Sequence, residues 1–175
     1  CMFCISWRSC SISSAASGDV IEFSVAVTTV TLSSGELLID KNLTINGGTN
    51  GVTITRSSGT FRIFNISTGN VSLIKLTITN GNPGSSQAGG VQNGGNLTMT
   101  NCAITGNTSI QGGGIQNDNV LTMVNCTISG NTSTGAGGGL VMYGTTTSLT
   151  NCTVSGNTSS TNGGGFDVPS GTLNL

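Results

Sequence analysis

The chain has 175 residues, a net charge of -1 and only 6% charged residues, and it contains no histidine. That balance gives no electrostatic reason to expect nucleic acid or an anionic membrane as a partner, and nothing after Lys75 could neutralise a phosphate, since no Lys or Arg follows it. No apolar run is long enough to insert in a membrane, and the absence of histidine removes Ser-His and Cys-His chemistry.

Apolar residues make up 35% of the chain and are mostly β-branched or aliphatic; with 28 glycines and two prolines this points to short strands joined by tight turns. Residues 1–17 differ in character. Cys1, Cys4, Cys10, Phe3 and Trp7 crowd there without glycine. The segment reads as an apolar N-terminal cap on residues 18–175, which form the repeat domain. Cys1, Cys4 and Cys10 leave a disulfide (Cys4–Cys10 or Cys1–Cys10) and a weak metal motif both open, because a fourth ligand is missing. A first residue that is Cys and not Met fits a processed secreted protein or an excised piece.

Ser17-Gly18-Asp19 is a turn. Val20–Val25 and Val27–Leu32 read as the first strand-like span, Ser33-Ser34-Gly35 as a turn, and Leu37–Ile39 and Leu43–Ile45 as two more strands. Gly47–Gly51 is a loop, Val52–Thr55 extends a strand, and Thr60–Ile66 opens the next coil. Asn70–Lys75 and Leu76–Asn80 complete it, and they align with Asn96–Asn101 and Cys102–Gly106 at an offset of 26, which puts Lys75 in the Asn101 slot and Leu76 in the Cys102 slot.

From residue 89 the pattern becomes regular. Asn101-Cys102-Ala103-Ile104-Thr105-Gly106-Asn107 recurs as Asn125-Cys126-Thr127-Ile128-Ser129-Gly130-Asn131 and Asn151-Cys152-Thr153-Val154-Ser155-Gly156-Asn157, in steps of 24 and 26 residues (102 to 126, 126 to 152). Each copy is followed by three glycines and an apolar residue, ending in Ile115, Leu140 and Phe166. A period of this size marks a solenoid, in which one repeat cannot bury its apolar face without its neighbours. The expected architecture is all-β: a three-sided parallel β-helix of about five coils plus a partial one, roughly 25 Å long at the ~4.8 Å strand spacing.

Alternation assigns the faces. Leu97/Leu121, Met99/Met123/Leu149 and Ile104/Ile128/Val154 point inward, continued by a ladder of Cys102, Cys126 and Cys152 acting as small apolar residues. Asn101, Asn125 and Asn151 sit at a corner where Asn tolerates the left-handed conformation, and their amides can bond their equivalents as a ladder; Asn107, Asn131 and Asn157 can do the same at a second corner. Outward positions carry Thr and Ser: Thr77, Thr127 and Thr153 in one column, Thr79, Thr105, Ser129 and Ser155 in the next. A second face carries Ser72, Thr98, Thr122 and Ser148. These form a hydroxyl-and-methyl lattice about 4.8 Å by 6.7 Å, interrupted by Ala103 on one face and by Ile74 and Val124 on the other. Such a lattice is similar to the Thr-x-Thr surfaces of ice-binding solenoids. Asn-x-Ser/Thr sequons fall at Asn42, Asn65, Asn70, Asn96, Asn107, Asn125, Asn131, Asn151 and Asn157, several of them at corners expected to be buried.

On these residues the chain resembles the right-handed parallel β-helix repeats of large bacterial cell-surface proteins, the adhesin-like and polymorphic outer-membrane-type arrays that read Gly-Gly-Gly-Ile-x-Asn … Leu-Thr-x-x-Asn-Cys-Thr-Ile-Ser-Gly-Asn, and the resemblance implies the right-handed form of the solenoid. Residues 112–131 carry the pattern; 70–107 and 137–157 carry it more loosely. Ser17–Phe23 resembles their first coil, although Cys10-Ser11-Ile12-Ser13-Ser14-Ala15 departs from the motif that precedes it there. The resemblance implies an extracellular or cell-surface structural or adhesive module without a cofactor, with end-to-end stacking on itself as one partner. Ice or a surface glycan bound on the Thr/Ser face is the alternative. A polysaccharide lyase is the weaker alternative, since the acids Asp19, Glu22, Glu36, Asp40, Asp118 and Asp167 do not recur as pairs; Glu22 with Glu36, or Asp40 with Lys41, are the approaches open in the first coil.

Overall fold

The computed structural model describes the backbone of Met2–Cys4 and residues 12–175. The cysteine cluster Cys1, Cys4 and Cys10, with any disulfide or metal role, therefore lies outside the described side chains. The chain winds as a parallel β-solenoid of about six turns. Each turn lays one strand on each of three sheets. Sheet I stacks Leu37–Ile39, Phe64–Ile66, Val91–Asn93, Ile115–Asn117, Leu140–Met142 and Phe166–Asp167. Sheet II stacks Met2–Cys4, Asp19–Phe23, Leu43–Asn46, Asn70–Ile74, Asn96–Thr100, Val120–Val124, Thr146–Thr150 and Thr172–Asn174. Sheet III stacks Thr29–Leu32, Val52–Arg56, Leu76–Thr79, Ala103–Thr105, Thr127–Ser129 and Thr153–Ser155. A short sheet IV, not foreseen, stacks Thr108–Ser109, Thr132–Ser133 and Thr158–Ser159. Val52–Arg56 is thus a strand of sheet III in its own right, and Thr29–Leu32 is separate from Asp19–Phe23.

In-register pairing is what makes the core. Ile21, Ile45, Leu73, Met99, Met123 and Leu149 stack along sheet II, and Val30, Ile54, Ile78, Ile104 and Ile128 along sheet III, all buried. Each such side chain contributes roughly 1.5–3 kcal/mol by leaving water, but only because the coils above and below cover it. The last coil is less enclosed: Val154 and Cys152 are half-buried. Ile12 and Ala15, from the segment before the first full coil, join the same core.

The corners are set by backbone chirality. Lys75, Asn101, Asn125 and Asn151 have φ of 53, 55, 54 and 52°. Side chains are disfavoured there, Asn least so, and the turn delivers each N–H to the next coil: Lys75 to Thr100 O at 2.9 Å, Asn101 to Val124 O at 3.0 Å, Asn125 to Thr150 O at 3.0 Å. The glycine runs are needed for close approach: a Cβ on Gly113 would sit 2.3 Å from Gly138 O.

Candidate functional site

Sheet III carries the most regular surface of the molecule. Pairing puts Thr29, Thr53, Thr77, Ala103, Thr127 and Thr153 in one outward column and Thr31, Thr55, Thr79, Thr105, Ser129 and Ser155 in the other. Of these twelve positions only Ala103 lacks a hydroxyl. The rungs repeat at ~4.8 Å and the two columns stand ~6.6 Å apart. The residues between the columns are the buried Val and Ile of the core, so the strands cannot slip by one without inverting the face. Among the described residues, no hydrogen bond engages any of the eleven hydroxyls; by contrast Thr132 and Thr158 of sheet IV bond each other at 3.2 Å. Sheet III thus holds its hydroxyls and methyls free toward solvent on a rigid backbone.

The sequence-derived array Thr77, Thr79, Thr105, Thr127, Ser129, Thr153 and Ser155 is brought together on this one face. Thr29, Thr31, Thr53 and Thr55 were missed. Their signal was present as Thr-x-Thr around a β-branched residue, but no Asn-Cys pair flanks these strands to fix their register. Beside Ala103 the face opens into a depression of about 390 Å³ lined by Thr49, Lys75, Thr77, Asn101, Asn125 and Thr127 among others.

The second face is less regular. On sheet II, Thr44, Ser72, Thr98, Thr122 and Ser148 form one hydroxyl column, while Asn46, Ile74, Thr100, Val124 and Thr150 alternate in character beside it.

The amide ladder expected at Asn101, Asn125 and Asn151 requires correction. Those side chains are exposed at the outer corner, and no side-chain hydrogen bond links them. The ladder runs through the second corner. Asn107 donates its Nδ2 to Asn131 Oδ1 at 3.0 Å and to Ile78 O at 3.0 Å; Asn131 donates to Asn157 Oδ1 at 2.9 Å and to Ile104 O at 2.9 Å; Asn157 donates to Ile128 O at 2.9 Å. Asn107 and Asn131 are fully buried, so their sequons are closed to glycosylation in the folded chain. A further buried pair was not foreseen: Asn93 donates to Asn117 Oδ1 at 2.6 Å, and Asn117 donates to Thr147 Oγ1 at 3.0 Å, where Thr147 fills the slot of Leu97 and Leu121.

Cys102, Cys126 and Cys152 are free thiols stacked at the turn into sheet III. Each donates to two backbone carbonyls, Cys102 for example to Leu73 O at 3.3 Å and Thr100 O at 3.4 Å. The hydrogen bond to Cys126, and then burial, pushes the Cys102 thiol far up; the same bond pulls Cys126 down, so the pair keeps one proton between them.

The carboxylates are spread over separate partners. Glu22 accepts from Asn46 at 3.4 Å; Glu36 accepts from Asn65 at 2.7 Å and lies 2.9 Å from Arg62 Nε without hydrogen-bond alignment; Asp40 pairs with Lys41 at 3.6 Å; Asp118 accepts from Gln92 and from Gln116. Glu22 and Glu36 are held by different groups and do not share a site. Among the described residues, no three His, Cys, Asp or Glu side chains are grouped to hold a metal ion.

Comparison with known proteins finds no family model, no curated protein and no solved structure that matches the chain. The resemblance to bacterial surface arrays is therefore supported as architecture, a parallel β-solenoid, and no family match supports the finer assignment.

Proposed function

We propose that the chain is a non-catalytic, extracellular structural or adhesive module that works by contact between the face of sheet III and a polar, hydroxyl-rich surface. The observation that carries this reading is the set of eleven free hydroxyls on a rigid, charge-free grid. A surface that keeps its donors and acceptors unpaired on preformed backbone loses little freedom on binding. The occupied and scattered carboxylates support the non-catalytic part, because acid–base hydrolysis of a glycan needs two carboxyls flanking one bond.

Adsorption to polysaccharide-coated beads tests the reading. The double variant Thr105→Gln, Ser129→Gln covers the grid with two longer neutral side chains and should lower adsorption at least about tenfold with the melting temperature retained. Equal adsorption by the variant and the parent chain would remove sheet III from the function.

Ice is the second reading, and the in-register pairing of both columns over six rungs is what favours it. Inhibition of ice recrystallisation by the parent chain and not by the double variant is its expected signature. End-to-end self-association belongs to the same proposal: Val154 and Phe166 line an apolar depression of about 360 Å³ at the last coil. Fibres seen by electron microscopy across a concentration series are its expected readout.

A further inference from the structure

The repeat is broken three times at one place, and the breaks enclose the depression on sheet III. First, Lys75 stands where the later coils have Asn101, Asn125 and Asn151, at φ 53°. Lysine gains nothing from this conformation, whereas Asn tolerates it, so the substitution is unfavourable for the backbone. Second, Ala103 removes one hydroxyl and one methyl from an otherwise unbroken column, and the space left is part of the depression. Third, the loop Gly47–Gly51 has no counterpart at the regular corners. It is fixed over Lys75 by two hydrogen bonds, Gly47 N–H to Ile74 O at 2.8 Å and Val52 N–H to Lys75 O at 3.1 Å. Gly47 is required there, since a Cβ would come within 2.2 Å of Lys75 O.

The chemistry of the enclosed groups is specific. The Lys75 ammonium makes no ion pair and no hydrogen bond among the described residues, and the side chains of Asn101, Asn125, Thr77 and Thr127 around it carry none either. Lys75 is also the last cation of the chain, so nothing later in the sequence supplements it. One compact positive charge beside amides and hydroxyls, over a floor that includes Ala103, suits a ligand with one anionic group and several hydroxyls. The depression, about 390 Å³, is shallow and open to solvent, so a ligand there lies on the face and is not engulfed.

We infer that the notch at Ala103 is a subsite for an acidic saccharide, in which Lys75 takes the carboxylate of a uronic acid unit and Asn101, Asn125, Thr77 and Thr127 take its hydroxyls. This rests on the reading of sheet III as a contact face and gives that face one anchoring point. It also accounts for the gap in the lattice, which a purely periodic ligand would not favour.

Calorimetric titration with a galacturonic acid oligosaccharide and with its methyl ester tests it. The parent chain is expected to bind the acid at least about tenfold more tightly than the ester, with affinity falling as salt rises. Two variants restore the repeat and so keep the fold: Lys75→Asn and Ala103→Thr. Each should weaken binding of the acid at least about tenfold at a melting temperature no lower than the parent's. No binding of the acid by the parent chain, equal binding of acid and ester, or unchanged binding by Lys75→Asn would overturn the subsite. Bead adsorption that still depends on Thr105 and Ser129 while Lys75→Asn has no effect would retain the contact face and discard the subsite alone.

Discussion

Two asparagines flank the sheet III strand Thr127–Ser129, and they hold opposite positions. Asn125 precedes it at the outer corner, exposed, with φ 54° and with its backbone N–H given to Thr150 O. Asn131 follows it, fully buried, with its amide bonded to Ile104 O, to Asn157 and from Asn107. The first is chosen for its backbone, the second for its side chain. The same residue in the same repeat therefore answers two separate demands of a solenoid: turning sharply, and satisfying buried polar groups where the chain turns inside the sheet stack.

Substitutions at three positions around this strand would break or sharpen that contrast. Ile128, between the two asparagines, is fully buried in the sheet III stack. Ile128→Asp puts an unpaired charge there and should cost more than about 4 kcal/mol, enough to abolish the cooperative thermal transition seen by circular dichroism. Asn131→Ala leaves the Ile104 carbonyl and the Asn107 backbone N–H without their partner, while Asn157 Oδ1 keeps the Asn131 N–H. At about 1–3 kcal/mol for each buried group left unsatisfied, a loss of about 2–4 kcal/mol is expected in chemical denaturation. Asn125→Ala keeps every hydrogen bond and adds only the penalty of an ordinary side chain in the left-handed region, about 1 kcal/mol, while Asn125→Gly should cost little or nothing. Equal losses at residues 125 and 131 would mean that the two corners are not distinct.

The contrast also marks how far the sequence could be read. The stacking of Ile104 on Ile128 and of Met99 on Met123 followed from the spacing of the Asn-Cys copies, and even Lys75 could be placed in the Asn101 slot. The sequence offered an amide ladder at both corners, and only the one through Asn107, Asn131 and Asn157 forms. Gly106, Gly130 and Gly156, at φ 64, 62 and 61°, reset the parity, so the residue after each glycine points inward. The full extent of the hydroxyl face was hidden for a different reason. Before residue 75 the connections differ in length, and only strand pairing shows that Thr29 and Thr53 lie under Thr77. The notch at Ala103 depends on a loop from residues 47–51 meeting a strand more than fifty residues later, which no local pattern encodes.

The smallest effect concerns the thiols between the outer corner and the core, and it develops as pH rises from neutral. In the unfolded chain Cys102 and Cys126 ionise near the ordinary thiol value of about 8.5. In the folded chain the bond between them and their burial keep one proton on the pair, and burial also raises Cys152. Above about pH 8.5 the unfolded state therefore binds fewer protons than the folded state, and the sign of the linkage makes stability fall as pH rises. Between about pH 7, where Cys126 ionises in the folded chain, and about pH 8.5 the unfolded thiols hold more protons than the folded pair, so stability first rises over that interval. Melting temperature measured from pH 7 to pH 10.5 should pass through a maximum at about pH 8.5 and fall beyond it, and Cys102→Ala, which removes the raised thiol, should flatten that decline while lowering stability at every pH through the cavity it leaves. A decline of the same steepness in Cys102→Ala would place the alkaline sensitivity elsewhere and leave the cysteine stack as packing alone.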